Sequence, residues 1–413
     1  MTSSPQPPER SADILIAGAG LAGLSAAIGF AQAGFEVACC GAAERTGGGR
    51  TVALLDQSVS FLRSLGVWTG LEPQAAPLRG LRLIDDSGAL FPPRPIEFQA
   101  SEIELEAFGW NIENDRMADA LAAEITRVAR VERLATGIVD YEFGANAVRA
   151  RLQDGRSISA SLTIGADGRA SGARRAGGLE ARVHRYPQTA LTAHLAHRLP
   201  HDGFSTEFHT RSGPFTLVPL PPSAAAPNRS SLVWVMPEDE ARRRKRLDDG
   251  ALSREIERQS HSLLGAVRIE GERGFFPMTR QIVPEIVAER LALVGDAAHV
   301  LPPIGAQGLN LGLRDVAAII ACAIEARAEG RDVGGRETLR AYGRARRADI
   351  ALRTGAVDGL NRSLLTHFPP ADVARGLGLS ALSSVGPLRR LVMRAGIGPR
   401  RGSRSRESER IGD

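Results

Sequence analysis

The chain has 413 residues, of which 43% are hydrophobic and 24% charged. That length allows two or three domains with a substantial core, and the balance is ordinary for a soluble globular protein. Aromatic residues make up only 5%, which argues against a nucleic-acid surface built on base stacking.

The net charge of +5 is local. Residues 389–413 hold eight arginines and three acids, while the rest of the chain carries 44 basic and 44 acidic side chains. All the excess positive charge therefore lies at that end, which reads as a disordered basic tail after Gly398-Pro399. Such a tail is either inert and solvated or weakly drawn to anionic lipid head groups. Cys39, Cys40 and Cys322 all sit in apolar runs, a pattern of buried free thiols rather than of disulfides or a metal site.

In chain order, residues 1–11 read as disordered, and they lack the basic and apolar regions of a secretory signal. Ile14–Phe35 is uncharged and long enough to span a bilayer. However, Asp13–Ala17 has a strand pattern and Gly18, Gly20 and Gly23 follow at the spacing G-x-G-x-x-G, with Leu21 and Ala22 between them. A helical run then extends to Ala33 and stops at Gly34, and Phe35–Cys40 is a second strand. This βαβ unit is suited to a dinucleotide pyrophosphate. The acid that normally accepts the ribose hydroxyls should fall at Gly41, which has no side chain; Glu44 is the nearest candidate substitute.

Arg50 follows Gly47-Gly48-Gly49, and Ser58–Leu65 is an amphipathic helix ended by Gly66. Phe108–Asn114 reads as a strand leading into a helix over Asp115–Arg127, so that Asn114 is placed to cap the helix, to face a ligand, or to do both. Val131–Gly155 alternates as strands with a turn at Asp154-Gly155. Leu162–Arg174 is a strand that ends on Asp167-Gly168 and continues to Ser171 and Arg174. From 177 to 274 the pattern is β-rich, with strands over Thr189–His197, Phe204–His209, Phe215–Pro219 and Leu232–Met236. Glu238–Asp249 has the alternating charge of a salt-bridged, exposed helix. His184, His194, His197, His201 and His209 follow no metal-ligand spacing and are given no such role.

Leu291–Ile319 is the most informative stretch. An apolar strand, Leu291–Val294, breaks on Gly295-Asp296 and passes through a loop with Pro302, Pro303, Gly305 and Gly308. A helical pattern follows from Leu309. Such a loop presents backbone N–H groups, and the helix after it offers the positive end of its dipole to an anion. Arg336–Leu365 is a further long helical run.

The run Gly295-Asp296-Ala297-Ala298-His299, then Pro303, then Gln307-Gly308-Leu309-Asn310 through Asp315, resembles the second flavin motif of class A flavoprotein monooxygenases. Within that class it is most similar to the ubiquinone-biosynthesis hydroxylases. Asp167-Gly168 with Ser171 and Arg174 resembles the D-G-x-x-S-x-x-R pattern of the same class, and Met393–Pro399 resembles the C-terminal signature of the ubiquinone branch. The wider class often carries arginine where Asn114 stands, whereas the ubiquinone branch carries asparagine.

The resemblance implies an α/β fold: a Rossmann-like FAD-binding domain, glutathione-reductase-type and p-hydroxybenzoate-hydroxylase-like, with an interleaved β-sheet substrate domain and C-terminal helices. The segments expected are a disordered 1–11; FAD-binding parts at 12–80, 108–180 and 277–330; substrate parts at 81–107 and 181–276; C-terminal helices at 331–398; and a basic tail at 399–413. It further implies that Asp296 bonds the ribityl chain, that the helix after Gly308 faces the flavin carbonyl, and that Asp167 serves both FAD and NADPH. The cofactor-binding set is then Gly18, Gly20, Leu21, Ala22, Gly23, Arg50, Asn114, Asp167, Gly295, Asp296, Pro303, Gln307, Gly308, Leu309 and Asn310, with no acid–base pair and no metal.

The sequence has no second G-x-G-x-x-G turn, which fits NAD(P)H as a transient reductant. With O2, the implied reaction is ring hydroxylation of a polyprenylated phenol in ubiquinone biosynthesis through a flavin C4a-hydroperoxide. The expected setting is the cytoplasm, with peripheral contact at the inner face of an anionic membrane, other enzymes of the pathway as possible partners, and no nucleic acid. Pro302 stands where many relatives carry histidine, a change bearing on the space over the flavin. The alternatives are a hydroxylase of a soluble or secondary-metabolite aromatic and a flavin-binding scaffold subunit. A flavin-dependent halogenase is disfavoured because the W-x-W-x-I-P loop is absent.

Overall fold

A parallel sheet forms because its strands are joined by helices or longer crossovers rather than by tight turns. The computed structural model describes residues 10–42, 47–88, 94–303 and 307–365, with residues 390 and 393. The helices among the described residues are α1 (Leu21–Gln32), α2 (Asp56–Ser64), α3 (Trp68–Leu71), α4 (Asn114–Ile125), α5 (Gly172–Ala176), α6 (Glu238–Lys245), α7 (Asp249–Gln259), α8 (Gln307–Ala328) and α9 (Arg336–Leu365).

The parallel strands lie in the order Leu291–Leu293, Ser157–Gly165, Arg10–Ala17, Val37–Cys40, Val131–Leu134. The first strand in the chain is therefore central, and the order reverses on either side of it. Dinucleotides bind at such a switch point, outside the carboxyl ends of the strands. Register brings those ends level: Ala17 pairs with both Gly165 and Cys40, and Gly165 pairs with Leu293. The first strand begins at Arg10, so Arg10 and Ser11 of the expected disordered start are in a strand, and residues 1–9 lie outside the described residues.

Helix α1 explains the uncharged stretch that has the length of a membrane span. Every residue from Gly23 to Ala31 is buried, which is the pattern of a helix enclosed on all sides by protein. It lies against the sheet, α4 and α8. Among the described residues no helix is long and apolar enough to cross a membrane.

The second sheet is the expected β-rich roof. Its order is His299–Val300, Val267–Ile282, Arg182–His197, Arg229–Pro237, Gly213–Leu220, Phe204–Thr210, Gly80–Asp86, Ile96–Gln99. The roof runs on to Ile282, past the division expected after residue 276, and the flavin-motif segment adds the pair His299–Val300 to its edge. Its own core, with Leu191, Leu232 and Trp234, packs on Leu252 and Ile256 of α7. The charged stretch expected as one helix over Glu238–Asp249 forms α6 and breaks before α7, which starts at Asp249; its expected salt bridges are present, with Arg243 and Arg244 both bonding Glu240 and Glu255.

A small third sheet, ordered Thr51–Leu55, Gly109–Glu113, Ala76–Pro77, joins the two large ones. Asn111 donates to the Pro219 carbonyl at 2.8 Å and to Ser231 Oγ at 3.2 Å, and the Thr51 hydroxyl donates to Ser231 Oγ at 3.0 Å. Arg229 reaches Glu113 of the small sheet and Glu270 of the roof at 3.1 and 2.8 Å. The roof is thereby fixed over the cofactor sheet by buried polar pairs.

Phe35, fully buried, meets Phe30 edge-on at 5.6 Å and carries the Arg327 guanidinium over its ring. Phe35→Ala should cost about 3–5 kcal/mol, the usual range for emptying a core aromatic site. Urea unfolding should show this as a lower midpoint with an unchanged slope.

Candidate functional site

Three loops that lie far apart in sequence converge at the carboxyl ends of adjacent strands. The turn Gly18–Gly23 follows the central strand, Asp167 follows its neighbour, and Gly295-Asp296 follows the next. At about 4.8 Å per strand, the outer two turns are roughly 10 Å apart, within the span of one extended dinucleotide.

The first turn is built by close approach. A Cβ on Gly23 would lie 1.9 Å from the Gly18 carbonyl oxygen, and one on Gly18 would lie 2.8 Å from the Asp167 nitrogen. A Cβ on Gly20 would meet nothing within 4 Å. The N-terminus of α1 has no side-chain cap and no acid in its first turn, so its N–H groups remain available to an anion. Leu21 and Ala22, half-buried, continue that surface.

The second turn locks onto the first. Gly295 adopts φ +58°, and a Cβ there would lie 3.4 Å from Ala22 Cβ. On its other side a Cβ on Gly312 of α8 would come within 3.0 Å of Gly295 Cα. Asp296 is exposed on the cleft side although its neighbours Gly295 and Ala297 are buried. Its surroundings raise its pKa through desolvation, against the pull of His299, Arg169 and Arg50. That electrostatic relation also places Arg50 near the Asp296 turn. Arg50 lies over the Phe276 ring at 5.1 Å, and its carbonyl accepts from the Asn114 N–H at 3.1 Å.

Asn114 does not cap its helix. α4 starts at Asn114 itself, the preceding cap residue is Glu113, and no side chain makes a cap bond. Asn114 Oδ1 is instead buried with no protein partner, the state of an acceptor that awaits a ligand or water.

Two other expected contacts take a different form. The Asp167 carboxylate accepts from the N–H groups of Gly172 and Ala173 at 2.7 and 3.0 Å and from the Ser171 hydroxyl. Its side chain therefore serves the start of α5, and what it offers a cofactor is the position of its backbone beside Gly18. Asn310 is likewise turned inward: Oδ1 accepts from the Leu55 N–H at 2.9 Å and the Ser58 hydroxyl at 2.7 Å, and Nδ2 donates to the Ala53 carbonyl at 2.7 Å. It clamps α8 to the strand that follows Arg50.

Gln307, at the start of α8, accepts from Arg353 at 2.7 Å. Gly308 faces open space and Leu309 packs partly on the main core. Pro302 is buried, whereas Pro303 is exposed at the edge of the cleft. Gly41 has φ +148°, and a Cβ there would lie 2.7 Å from the Ala19 nitrogen. Glu44, the substitute considered for it, lies outside the described residues, as does the tail 399–413.

Several residues of the site were not expected from the sequence. Asp315 of α8 is fully buried behind the Asp296 turn, where it accepts from the Gly295 N–H at 3.0 Å, His299 Nε2 at 2.6 Å and Arg346 Nε at 2.7 Å. Tyr342 donates to the Leu293 carbonyl at 2.7 Å. Arg346 continues to Asp349, which also accepts from Arg314 and Arg353. The only signal for this cluster was that His299 and Asp315 fall inside the motif; their partners on α9 are 31 or more residues further on.

The residues present fit an FAD. There is an uncapped helix start with open space before Gly20, an accessible carboxylate at Asp296, an unpaired acceptor at Asn114, and glycines wherever a Cβ would break the turns. This combination of fold and site defines an FAD-dependent flavoprotein monooxygenase. A family profile described as an FAD binding domain matches residues 11–353. The ubiquinone hydroxylase UbiL of Rhodospirillum rubrum is 32% identical over 94% of this chain and 90% of its own length. The 3-demethoxyubiquinol 3-hydroxylase of Escherichia coli is 31% identical over 94% of this chain and 98% of its own. A crystal structure of Pseudomonas aeruginosa PqsL in complex with 2-aminobenzoylacetate superposes with a TM-score of 0.75, covering 90% of this chain and 99% of that one at 23% identity, and so shares the fold. The chain belongs to the ubiquinone-biosynthesis hydroxylase family of FAD-dependent monooxygenases.

The cluster behind the flavin turn gives a pH prediction. Burial pulls the Asp349 carboxyl up, but hydrogen bonds from Arg353 and Arg346 and the charge of Arg314 outweigh it and hold the group at about 2. A depressed carboxyl contributes stability that is present above its unfolded pKa of about 3.9 and is lost as pH falls through the folded value. The urea midpoint of the wild type should therefore drop more steeply between about pH 4 and 2 than that of Asp349→Asn, while the two curves run parallel above about pH 5. Equal slopes at acid pH would contradict the assignment.

Proposed function

We propose that this enzyme hydroxylates the aromatic ring of a polyprenylated phenol in ubiquinone biosynthesis, with NAD(P)H as a transient reductant and O2 as co-substrate. The observation that carries the reading is the convergence of the Gly18, Asp167 and Gly295-Asp296 turns at one switch point beneath a β-sheet roof. The named activities of UbiL and of the Escherichia coli hydroxylase support the substrate class.

In this reading the N-terminus of α1, with Gly18, Gly20, Leu21, Ala22 and Gly23, receives the pyrophosphate of FAD. Asp296 accepts from ribityl hydroxyls, and Asn114 and Arg50 close the cofactor from the roof side. Pro303, Gln307, Gly308, Leu309 and Asn310 line the turn and helix start that face the pyrimidine end. Bound FAD would supply the redox chemistry, the activation of O2 at the expense of NAD(P)H, so that one oxygen atom enters the ring and the other ends as water. The protein's share is to bind, to orient and to exclude water. The positive end of α8 stabilises negative charge on the reduced ring.

A prenylated substrate is collected from the bilayer. The arginines of residues 389–413 add attraction to anionic head groups worth about 1 kcal/mol each near the surface, which fits a cytoplasmic enzyme that docks peripherally at the inner face of the membrane beside others of its pathway.

Mass spectrometry of quinone precursors in a deletion strain tests the reading. A prenylated intermediate lacking one oxygen should accumulate, and the wild-type chain should clear it. Asp296→Ala should fail to do so, its FAD affinity falling roughly 10- to 100-fold with the loss of one or two charge-assisted hydrogen bonds. Unchanged quinones would point to a soluble aromatic substrate, and flavin binding without NAD(P)H oxidation would point to a scaffold.

A further inference from the structure

α9 touches the flavin turn only from behind, yet it does so with three polar anchors. Tyr342, fully buried, holds the Leu293 carbonyl two residues before Gly295. Arg346 holds Asp315, whose other oxygen accepts from the Gly295 N–H and from His299. Arg353 holds Gln307, in the first turn of α8. Asp349 ties these together, because it accepts from Arg314 of α8 and from both Arg346 and Arg353.

We propose that Arg346 is a positioning residue for the cofactor, and that docking of α9 and binding of FAD are thermodynamically coupled through the Arg346–Asp315–Gly295 chain of hydrogen bonds. The inference rests on the placement of FAD at the Asp296 turn. Its physical basis is that Asp315 is held by one arginine, Arg346, and otherwise by the Gly295 N–H and His299 Nε2. Asp315 is 0% and His299 1% exposed, so the carboxylate has no access to bulk water if Arg346 withdraws. An uncompensated buried carboxylate either draws a proton or pulls its remaining donors toward itself. The donors that remain are His299 Nε2 at 2.6 Å and the Gly295 N–H at 3.0 Å, the latter in the peptide that joins Val294 to the turn carrying Asp296. With φ +58° at Gly295 and Gly312 packed against its Cα, that turn has little freedom to move without carrying Asp296 with it.

His299 gives the chain its direction. Its Nε2 is fixed on Asp315 and its Nδ1 is buried without a protein partner, so the imidazole is oriented from one side only. Loss of Arg346 changes what holds that ring as well as what holds Gly295. By reciprocity, whatever FAD gains from a docked α9, α9 gains from bound FAD.

The test uses full-length protein stripped of flavin and titrated with FAD, with hydrogen exchange of α9 followed in the apo and loaded states. Arg346→Met should weaken FAD binding by about 5- to 150-fold, the usual range for coupling between sites, and Arg346→Lys should recover part of the loss. Exchange protection across 336–353 should rise on loading in the wild type and not in Arg346→Met. Arg347→Ala, which breaks an exposed pair with Glu285, should change neither. If Arg346→Met does not fold, Arg353→Met, which removes its bond to Gln307 while Asp349 keeps Arg346 and Arg314, carries the same expectation with a smaller loss.

An Arg346→Met or Arg353→Met protein that melts lower but binds FAD within about twofold of wild type would show that α9 is a structural buttress only, and would overturn the coupling. Asp296→Ala separates this failure from the larger one. If Asp296→Ala also retains FAD, the placement of the cofactor is wrong; if it loses FAD while the α9 variants keep it, only the coupling is wrong.

Discussion

Everything at the site depends on the in-register pairing of Arg10–Ala17, Ser157–Gly165 and Leu291–Leu293. These strands begin about 10, 157 and 291 residues into the chain, yet Ala17, Gly165 and Leu293 stand side by side. Parallel strands have a period of two along the chain, so a one-residue slip in either pairing would turn each strand over and move its loop along the edge. Close packing on both faces opposes that slip, because each side chain fills its own site. Ile14 and Ile16 alternate with Leu15, and the two sets belong to different clusters on opposite faces of the sheet.

Once register places the turns, close packing finishes the site. Gly23 meets Gly18 and Gly312 meets Gly295 backbone to backbone, while Gly295 faces the Cβ of Ala22. No side chain could bring α1, the flavin turn and α8 so near one another. This also explains why the cofactor edge is lined by N–H groups and small residues and not by a charged pocket. A diphosphate can be held by backbone dipoles without burying a lysine or arginine that would need its own partner.

Much of this was legible in the sequence because turns of this kind demand particular residue types. Gly18, Gly20 and Gly23 mark the first turn, Gly295-Asp296 the second, and the β-rich pattern over 177–274 the roof. What was not legible depends on long-range polar pairing. Asn310 reads as a ligand group because it sits in a flavin-like motif; only the fold shows Ala53, Leu55 and Ser58 around it. Asn114 reads as a helix cap, a ligand-facing group, or both; only the fold shows that α4 includes it and that its Oδ1 is buried without a protein partner. Asp167 reads as a cofactor group from its motif; only the fold shows that its carboxylate also accepts from the N–H groups at the start of α5. The Arg346–Asp315 pair had no local signature, since an arginine in a charged helix reads as a solvated face.

The same polar pairs decide where the structure is stiff. The main core is one apolar cluster running from α1 to α9, and apolar packing tolerates small shifts because it is non-directional. Hydrogen bonds to a buried carboxylate tolerate very little, since an unmet partner costs the full desolvation of that group. Directional contacts are concentrated behind the flavin turn at Asp315 and across the domain joint at Arg229, Asn111 and Ser231. In front of the turn the exposed groups are Asp296 and Pro303, with Gly308 facing open space. The rigid polar frame is thus on the far side of the turn from the cleft. That leaves the cleft side free to be shaped by whatever binds there, while the backbone presenting Asp296 stays fixed.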